Sequence, residues 1–389
     1  MKSQQPPHSK DLTKDCISPI PELAKSKELL EANGINSFSS QGAGNTDFDP
    51  MSHVGGRPLI ASCRSGTGLA GQVVETLYRN HGDELHHYFF QNDLDYSFSD
   101  SETCVRLAEE VNGSPVFLFQ SLFDPTSSRS VDQNYMAFLI AVRALKEWGA
   151  RMVTGIVPYL AYARQNRPTR GQREPVTARL MADLSDAAGL DGLITFKPHT
   201  DGIASFYRDV VFEQPNPVDF FATVFANFYD QTDTILVSPD AGAVPFVTEV
   251  GRALRLKCAV GSKYRPRAEE CSLAEIIGDF NGIKTAIVLD DMVSSGGTVY
   301  NLIRRLRAEK GVEQIYLAAA HNLCLEIAKK RLIELHNDFG LSKVVFTNSI
   351  PQTADFLALS FVEIIDLSTI IAGLIEKSLM HPSAIYDLV

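Results

Sequence analysis

The sequence has 389 residues, of which 44% are apolar and 21% charged, a globular composition with enough length for two or three domains. Its formal net charge of −11 argues against a protein that binds nucleic acid through a basic face. No apolar run reaches the ~18 residues that a membrane-spanning helix needs, and the first residues lack the apolar core of a signal peptide. The six cysteines are widely spaced without a CxxC pair, so we expect reduced thiols in a cytoplasmic protein without membrane attachment.

The first part of the chain differs in composition from the rest. Residues 1–56 are rich in Ser, Gln, Asn, Gly and Pro, which predicts a mostly disordered polar leader. Only the stretch from Pro21 to Gly34 has helical spacing, and Gly34 would end that helix.

From Arg57 onward, short apolar runs alternate with amphipathic stretches such as Asn134 to Gly149. The runs are PLIAS, PVFLFQ, MVTGIV, GLITF, TILVS, CAVG, TAIVL, IYLAAA, VVF and VEII. Apolar runs without polar alternation, separated by helices, indicate parallel strands covered on both faces. There are more runs than one sheet normally holds, so the sequence predicts two α/β domains.

The segment AIVLDDMVSSGGT ends an apolar run on two carboxylates, Asp290 and Asp291. The loop beyond them consists of Ser294, Ser295, Gly296, Gly297 and Thr298. Glycines allow backbone N–H groups to converge on an anion, and Thr298 is placed to cap the next helix. A sugar phosphate would fit both halves, with its phosphate in the loop and its hydroxyls on the carboxylates, which a divalent metal could share. The alternative interpretation is a tight strand-to-helix turn.

Four other segments carry candidate functional residues. The stretch YARQNRPTRGQR has an arginine at every third position, and its Pro and Gly favour a loop whose guanidinium groups suit polyphosphate. The other three are SPDAGA with Asp240, KPH with His199, and SKYRPR with Lys263 and Arg265 beyond the strand CAV. Taken singly, each is also compatible with a solvated loop, a structural histidine or ordinary surface charge.

Several of these segments resemble one protein family. DDMVSSGGT resembles the phosphoribosyl diphosphate (PRPP) motif of phosphoribosyltransferases and of PRPP synthetases, also called ribose-phosphate pyrophosphokinases. YARQNR followed by PVTARL resembles the ATP-binding motif of the synthetases, which the transferases lack. The resemblance to the synthetases covers about residues 57–389 and implies an α/β fold of two phosphoribosyltransferase-like domains, each with a mainly parallel sheet flanked by helices. It places an ATP-side domain at 57–213, a ribose 5-phosphate-side domain at 214–366, and at 367–389 a helix that returns to the first domain.

The resemblance also implies a role for each matched residue. The implied catalytic residues are Lys263 and Arg265. The implied ATP-binding residues are Arg164, Gln165 and His199, with Phe98, Asp100 and Glu102 contributed by a neighbouring subunit of a homo-oligomer. The implied ribose 5-phosphate-binding residues are Asp290, Asp291, Ser294, Ser295, Gly296, Gly297 and Thr298. The implied magnesium-binding residues are His199 and Asp240.

The implied reaction is attack by the anomeric hydroxyl of ribose 5-phosphate on the β-phosphorus of Mg–ATP, which gives PRPP and AMP. The chain departs from the family pattern at several of the motifs. The departures are Asn166 and Lys197 for Asp, Pro198 for Leu, Ser101 and Ala243 for Gly, Tyr264 for Arg, and Ser294 for Asp. They leave open a non-catalytic regulatory homologue, and the shared PRPP motif leaves open a phosphoribosyltransferase that consumes PRPP.

Overall fold

The computed structural model describes residues 17–18, 56–81, 88–267 and 270–380, with only the backbone for 17–18, 89, 263–267 and 270–274. The strands are β1 (Ile17–Ser18), β2 (Leu59–Ser62), β3 (Phe89–Gln91), β4 (Asp95–Ser97), β5 (Thr103–Val105), β6 (Pro115–Phe119), β7 (Met152–Ile156), β8 (Gly192–Ile194), β9 (Val211–Glu213), β10 (Thr234–Ser238), β11 (Lys257–Arg267), β12 (Glu270–Ile277), β13 (Thr285–Val293), β14 (Gln314–Asn322), β15 (Leu341–Thr347) and β16 (Val362–Ile365). The α-helices are α1 (Thr67–His81), α2 (Val131–Glu147), α3 (Thr177–Ala188), α4 (Pro217–Val224), α5 (Val244–Leu254), α6 (Gly297–Lys310), α7 (Glu326–Asp338), α8 (Ala354–Leu357) and α9 (Ser368–Met380).

The strands form two large sheets, as the alternation of apolar runs and helices predicts. The first sheet has the order β3-β2-β6-β7-β8-β9, and every neighbouring pair in it is parallel. The second has the order β1-β16-β15-β14-β13-β10-β11-β12, with an antiparallel pair only at β11 and β12. A separate hairpin joins β4 to β5. The prediction of an α/β fold with two mainly parallel sheets is therefore confirmed.

One apolar core joins the two sheets. It includes Ile60 and Phe117 from the first sheet, Leu236 and Ile287 from the second, and Ile371 from the last helix. Burial of this shared surface favours a fixed arrangement of the sheets, because apolar area removed from water stabilises by roughly 25 cal/mol per Å². The carboxyl ends of strands from both sheets consequently lie near each other.

The last helix, α9, packs against α1, the first helix after β2. The Thr76 and Ser368 hydroxyls lie 3.1 Å apart, and His81 Nε2 lies 2.8 Å from Glu376 Oε1. The last described helix thus contacts α1, one of the helices that cover the first sheet. Within the described ranges, no helix combines the length and the apolar content that crossing a bilayer requires.

Two local differences from the sequence predictions have simple causes. Helix α2 begins at Val131 rather than near Asn134, because Ser130 and Gln133 form a reciprocal capping box at its start. Within the predicted leader, Ile17–Ser18 pair with β16 and extend the edge of the second sheet. The rest of residues 1–55, including the predicted helix from Pro21 to Gly34, lies outside the described residues.

Candidate active site

A group of polar side chains lies where the two sheets meet. His199 follows β8 of the first sheet, and its Nδ1 lies 2.6 Å from Oδ2 of Asp291 on β13 of the second. His321 lies at the end of β14, the strand beside β13. Its Nε2 is 3.1 Å from the carbonyl oxygen of Lys197. Strand ends in parallel α/β sheets are the usual position of ligand sites, and here the ends of both sheets contribute.

Asp290 and Asp291 belong to β13 itself, which continues past the predicted strand TAIVL to Val293. The pairing of β13 with β10 ends at Val288, whereas its pairing with β14 continues to Val293. The carboxylates therefore lie where one neighbouring strand has stopped and the other has not.

The two adjacent carboxylates have different proton affinities. Burial, followed by repulsion from Asp291 and Asp240, raises the pKa of Asp290 well above its usual range. Burial also opposes the charge on Asp291, but the hydrogen bond and positive charge of His199 outweigh it and lower the pKa of Asp291. A bound cation would offset this repulsion and favour the charged form of Asp290.

The loop after β13 bends at Ser294 and Ser295 and enters α6 through Gly296, which has a φ of +72°. The predicted cap by Thr298 is wrong, because Gly296 takes the capping position and α6 already begins at Gly297. In the described part of the chain, the backbone N–H groups of residues 295–298 have no hydrogen-bond acceptor. Unpaired N–H groups at a helix start form a ready anion-binding site.

The loop after β10 carries Asp240 as predicted. Asp240 Oδ1 accepts hydrogen bonds from the N–H groups of Gly242 at 2.9 Å and of Ala243 at 3.3 Å. The Ser238 hydroxyl donates to the carbonyl oxygen of Asp240 at 2.6 Å. Ala243, which stands where the resembling family has glycine, has a φ of −84° that any residue adopts.

The arginine-rich segment is a loop between β7 and α3, as its Pro and Gly predict. Arg164 and Gln165 are exposed, and Gln165 is held through its backbone N–H to Tyr162 and its carbonyl to Ala178. Tyr159 connects this loop to the carboxylates: burial raises its pKa, with Arg164 and Asp291 acting on it in opposite directions. Arg164 and Asp291 therefore both lie close enough to Tyr159 to act on its charge.

The segment with Phe98, Asp100 and Glu102 forms the turn of the β4–β5 hairpin. Asp100 Oδ1 accepts from the Glu102 N–H at 3.1 Å, and Ser101, where the family has glycine, has a φ of +75°. Phe98 is 50% exposed and packs only against Tyr96 of the same hairpin among the aromatic contacts described. Within one chain these three residues remain apart from His199 and Asp291.

Lys263 and Arg265 lie within β11 rather than beyond it, because antiparallel pairing with β12 extends that strand to Arg267. Their side chains lie outside the described residues, so their predicted catalytic role stays a prediction. The same holds for the predicted metal ligands. Over the ranges for which side chains are described, no cluster of three or more His, Cys, Asp or Glu residues has a metal-binding arrangement.

His321 is a site residue that sequence reasoning missed. It is 3% exposed, its Nδ1 lies 2.8 Å from the Ser349 hydroxyl, and its ring packs edge-on against Tyr159. Burial lowers its pKa to about 4, so it stays neutral and donates from Nε2 to the Lys197 carbonyl. The available signal was its position, directly after the apolar run IYLAAA at a strand end.

Comparisons with known proteins agree with this arrangement. One protein-family model, described as the N-terminal domain of ribose phosphate pyrophosphokinase, matches residues 59–189, and a second, the phosphoribosyl synthetase-associated domain, matches residues 255–386. The chain is 33% identical over 314 residues to a ribose-phosphate pyrophosphokinase of Pasteurella multocida, covering 79% of this chain and 92% of that protein. The corresponding protein of Haemophilus influenzae is 32% identical over 313 residues, with coverage of 79% and 92%. The crystal structure of phosphoribosylpyrophosphate synthetase from Mycobacterium smegmatis superposes with a TM-score of 0.71 at 27% identity, covering 84% of this chain and 99% of that one.

Proposed function

Because the chain belongs to the ribose-phosphate pyrophosphokinase family, we propose that it transfers the diphosphoryl group of ATP to the anomeric hydroxyl of ribose 5-phosphate. The hydroxyl oxygen attacks the β-phosphorus, the bond from that phosphorus to the α-phosphate oxygen breaks, and AMP leaves. The hydroxyl proton is released, and the product is PRPP. Little covalent chemistry falls to the protein, so alignment and charge stabilisation carry most of the rate.

One observation carries this proposal: unpaired N–H groups and paired carboxylates lie at the end of one strand, β13. The N–H groups of residues 295–298 would receive the 5-phosphate. Asp290 and Asp291, a few residues earlier, would accept the ribose hydroxyls. A sugar phosphate uses both kinds of group at this spacing. Unpaired N–H groups alone occur at any helix start, so the two adjacent carboxylates beside them are what favour a ligand over a simple strand-to-helix turn.

Magnesium fits the donors present. Asp290 is largely buried beside Asp291, and their repulsion disfavours its charged form. Carboxylate oxygens are preferred Mg²⁺ ligands, and Mg²⁺ usually keeps several waters and substrate phosphate oxygens instead of requiring a complete protein cage. We assign His199 and Asp240 to position the ion, with Asp290 and Asp291 as further carboxylates near it and Asp291 orienting His199. When bound, the ion would neutralise charge on the phosphate oxygens.

The first sheet supplies the ATP side of the proposed site. Arg164 and Gln165 would contact ATP from the loop after β7, and His199 would face it from the loop after β8. Lys263 and Arg265 on β11 would approach the transferring group and stabilise the charge that develops on its oxygens. Phe98, Asp100 and Glu102 would serve the site of a neighbouring subunit, since their hairpin keeps them away from His199 in their own chain.

The proposal includes the organisation of the chain. The ATP-side domain spans 57–213 and the ribose 5-phosphate-side domain 214–366; β9 ends at Glu213 and β16 at Ile365. Residues 367–389 return to the first domain, in agreement with the contact of α9 with α1. We also propose a cytoplasmic homo-oligomer. The four cysteines of the described residues are free thiols, which suits a reducing compartment.

The direct test is incubation of the purified full chain with ribose 5-phosphate and Mg–ATP, with AMP and PRPP measured together. We expect the two products in equal amounts. Absence of both across a range of phosphate and magnesium concentrations would contradict the proposal and favour the non-catalytic homologue. Consumption of added PRPP with a nucleobase would instead indicate a transferase.

The role of Lys263 is tested by Lys263→Ala. Loss of one cation aimed at the transition state typically lowers turnover by ~10²–10³-fold while leaving substrate binding largely intact. We expect kcat to fall within that range with ATP affinity preserved. Equal loss of kcat and ATP affinity would refute the assignment. The control is Lys284→Ala, because Lys284 directly precedes β13 at the amino ends of the strands, away from the carboxyl ends that form the site.

A further inference from the structure

Arg331 on α7 contacts the loop that we assign to the 5-phosphate. Its Nη1 donates a hydrogen bond to the carbonyl oxygen of Ser295 at 2.7 Å. A Cβ atom added at Gly297 would lie 3.3 Å from the same nitrogen, so the guanidinium group lies directly against the loop. No motif in the sequence pointed to this residue.

The contact fixes the direction of one peptide group. In a planar trans peptide the carbonyl oxygen and the following N–H point in opposite directions. When Arg331 holds the Ser295 oxygen on the α7 side of the loop, the N–H of Gly296 must point to the opposite side. That N–H is one of the four without an acceptor in the described part of the chain.

Gly296 makes such a restraint necessary. Its φ of +72° lies in a region where glycine is comfortable, but glycine adopts negative φ almost as readily. The peptide between Ser295 and Gly296 can therefore rotate at little cost in the absence of a partner. A rotated peptide would present its oxygen to an incoming phosphate, and two negative groups would face each other.

The side chain of Arg331 is itself held in place. Its guanidinium carbon lies 5.8 Å from the centre of the Tyr300 ring on α6, and the Tyr300 hydroxyl donates to Glu334 on α7. Arg304 also contacts the Tyr300 ring, at 5.2 Å, and additionally the Phe339 ring, but among the contacts of the described residues none joins it to the loop. The two arginines thus share one aromatic partner and differ in the hydrogen bond to Ser295.

From this geometry we propose that Arg331 is a positioning residue for ribose 5-phosphate: it orients the Ser295–Gly296 peptide so that the Gly296 N–H faces the phosphate. This inference rests on the proposed function for its substrate. Arg331 acts through the loop backbone and has no contact with the reacting phosphorus. Its loss should weaken sugar phosphate binding without altering ATP binding.

The test compares Arg331→Ala, Arg331→Lys and Arg304→Ala with the unmodified chain. Binding of ribose 5-phosphate is measured by calorimetry without ATP, and KM for each substrate and kcat are measured in the full reaction. We expect Arg331→Ala to weaken ribose 5-phosphate binding and raise its KM about tenfold, the effect of one oriented hydrogen bond, with KM for ATP within twofold. Arg331→Lys, which keeps a cation and a donor, should lie between, and Arg304→Ala should remain within twofold.

Three results would overturn the inference. They are unchanged ribose 5-phosphate affinity in Arg331→Ala, an equal loss in Arg304→Ala, and an equal loss of affinity for both substrates in Arg331→Ala, which would indicate a merely structural role. A chain that binds ribose 5-phosphate but forms no product would refute the proposed function and still allow the affinity comparison. Absence of ribose 5-phosphate binding by the unmodified chain would overturn both.

Discussion

Two loops of the second sheet follow neighbouring parallel strands and lead into helices, yet their backbone N–H groups differ in whether they have hydrogen-bond acceptors. In the loop after β10, the Asp240 carboxylate accepts the N–H groups of Gly242 and Ala243. In the loop after β13, which runs from Ser294 to Thr298, the carboxylates lie earlier and the N–H groups of 295–298 have no acceptor within the described ranges. Within the described residues, the first loop thus bonds two of its N–H groups to its own carboxylate, and the second leaves all four unpaired.

The backbone conformations differ in the same sense. Ala243 enters α5 with an ordinary φ of −84°, whereas Gly296 enters α6 with a φ of +72°. A positive φ lets successive N–H groups point into one concavity. A loop whose N–H groups are bonded by its own carboxylate does not need this conformation. Equal topology is therefore compatible with different functions, and the position of the carboxylate relative to the turn separates the two cases.

Among the substitutions that test this comparison, the largest effect should come from Gly296→Val. A β-branched residue strongly disfavours positive φ, although space is available, since an added Cβ would meet Ala328 only at 3.7 Å. The loop should rearrange, and we expect kcat/KM for ribose 5-phosphate to fall by roughly 100-fold or more, measured by initial rates. Ala243→Gly in the other loop is the control and should stay within about threefold. Similar losses in both variants would contradict the comparison.

A smaller effect is expected for Asp291→Asn. The substitution removes the charge that pairs with His199, and loss of a charged hydrogen bond corresponds to roughly 10–100-fold, so we expect kcat/KM to fall about 30-fold. Repulsion by Asp291 is the second cause of the raised pKa of Asp290, after burial. Activity that requires ionised Asp290 is lost as pH falls through its pKa, so this acid limb should move to lower pH in the variant.

The measurement for Asp291→Asn is kcat/KM for ribose 5-phosphate from pH 5 to 9, at one fixed magnesium concentration below saturation, because a bound ion would itself offset the repulsion between the carboxylates. Asp279→Asn is the control, because Asp279 is an exposed carboxylate paired with Lys257 away from the site. An acid limb that does not shift would mean that Asp290 is not the titrating group. A shift in the control as well would point to a general charge effect.

The two loops also show how much of the structure could be predicted from the sequence. Ten apolar runs predicted ten of the described strands and the presence of two α/β units, because buried parallel strands have few other sequence requirements, but the short strands β3, β4 and β5 and the antiparallel β12 were not among them. The motif residues Asp240, Asp290 and Asp291 could be placed at strand ends for the same reason. The family and its enzyme class followed from motif order and are confirmed by the relatives.

The features that sequence did not predict depend on contacts between distant segments. Thr298 looks like a helix cap, and only the backbone angle of Gly296 shows that the cap lies two residues earlier. His321 and Lys197 are 124 positions apart, and Arg331 reaches Ser295 from a different helix. Such hydrogen bonds depend on how the sheets and helices pack together. The spacing of residues along the sequence does not predict that packing.

Asp240→Asn and Asp240→Ala separate two roles of the first loop and should have a more moderate effect. Asn keeps an oxygen for the Gly242 and Ala243 N–H groups but loses the charge, so thermal stability should be retained. If Asp240 also attracts magnesium, the magnesium concentration for half-maximal activity should rise about tenfold, a change of about 1.4 kcal/mol. Ala should show that change and also destabilise the chain by about 1 kcal/mol, the usual net value of a lost hydrogen bond.

Magnesium titrations of activity and thermal melts of both Asp240 variants provide the measurements. Unchanged magnesium dependence in Asp240→Asn would restrict Asp240 to its hydrogen bonds with the Gly242 and Ala243 N–H groups. The carboxylates of β13 would then be the groups that attract the ion. Loss of stability in Asp240→Asn equal to that in Asp240→Ala would instead show that the hydrogen bonds to Gly242 and Ala243 depend on the charge.

The smallest effect on activity at neutral pH is expected for His321→Gln, which tests whether the acid limb arises from the carboxylates or from unfolding. Gln retains an N–H for the Lys197 carbonyl. Burial lowers the pKa of His321 from 6.5 to about 4, so the unfolded chain binds the proton more readily. The stability from neutral His321 is present above pH 6.5 and is lost as pH falls toward 4, by about 3 kcal/mol at most.

Urea unfolding at several pH values should therefore show the unmodified chain losing more stability than His321→Gln between pH 6.5 and 4. The acid limb of activity should be the same in both chains, because it belongs to Asp290. If the limb moved together with the stability curve in His321→Gln, acid unfolding would explain it. The electrostatic part of the contrast between the two loops would then lose its support, while the difference in their backbone geometry would remain.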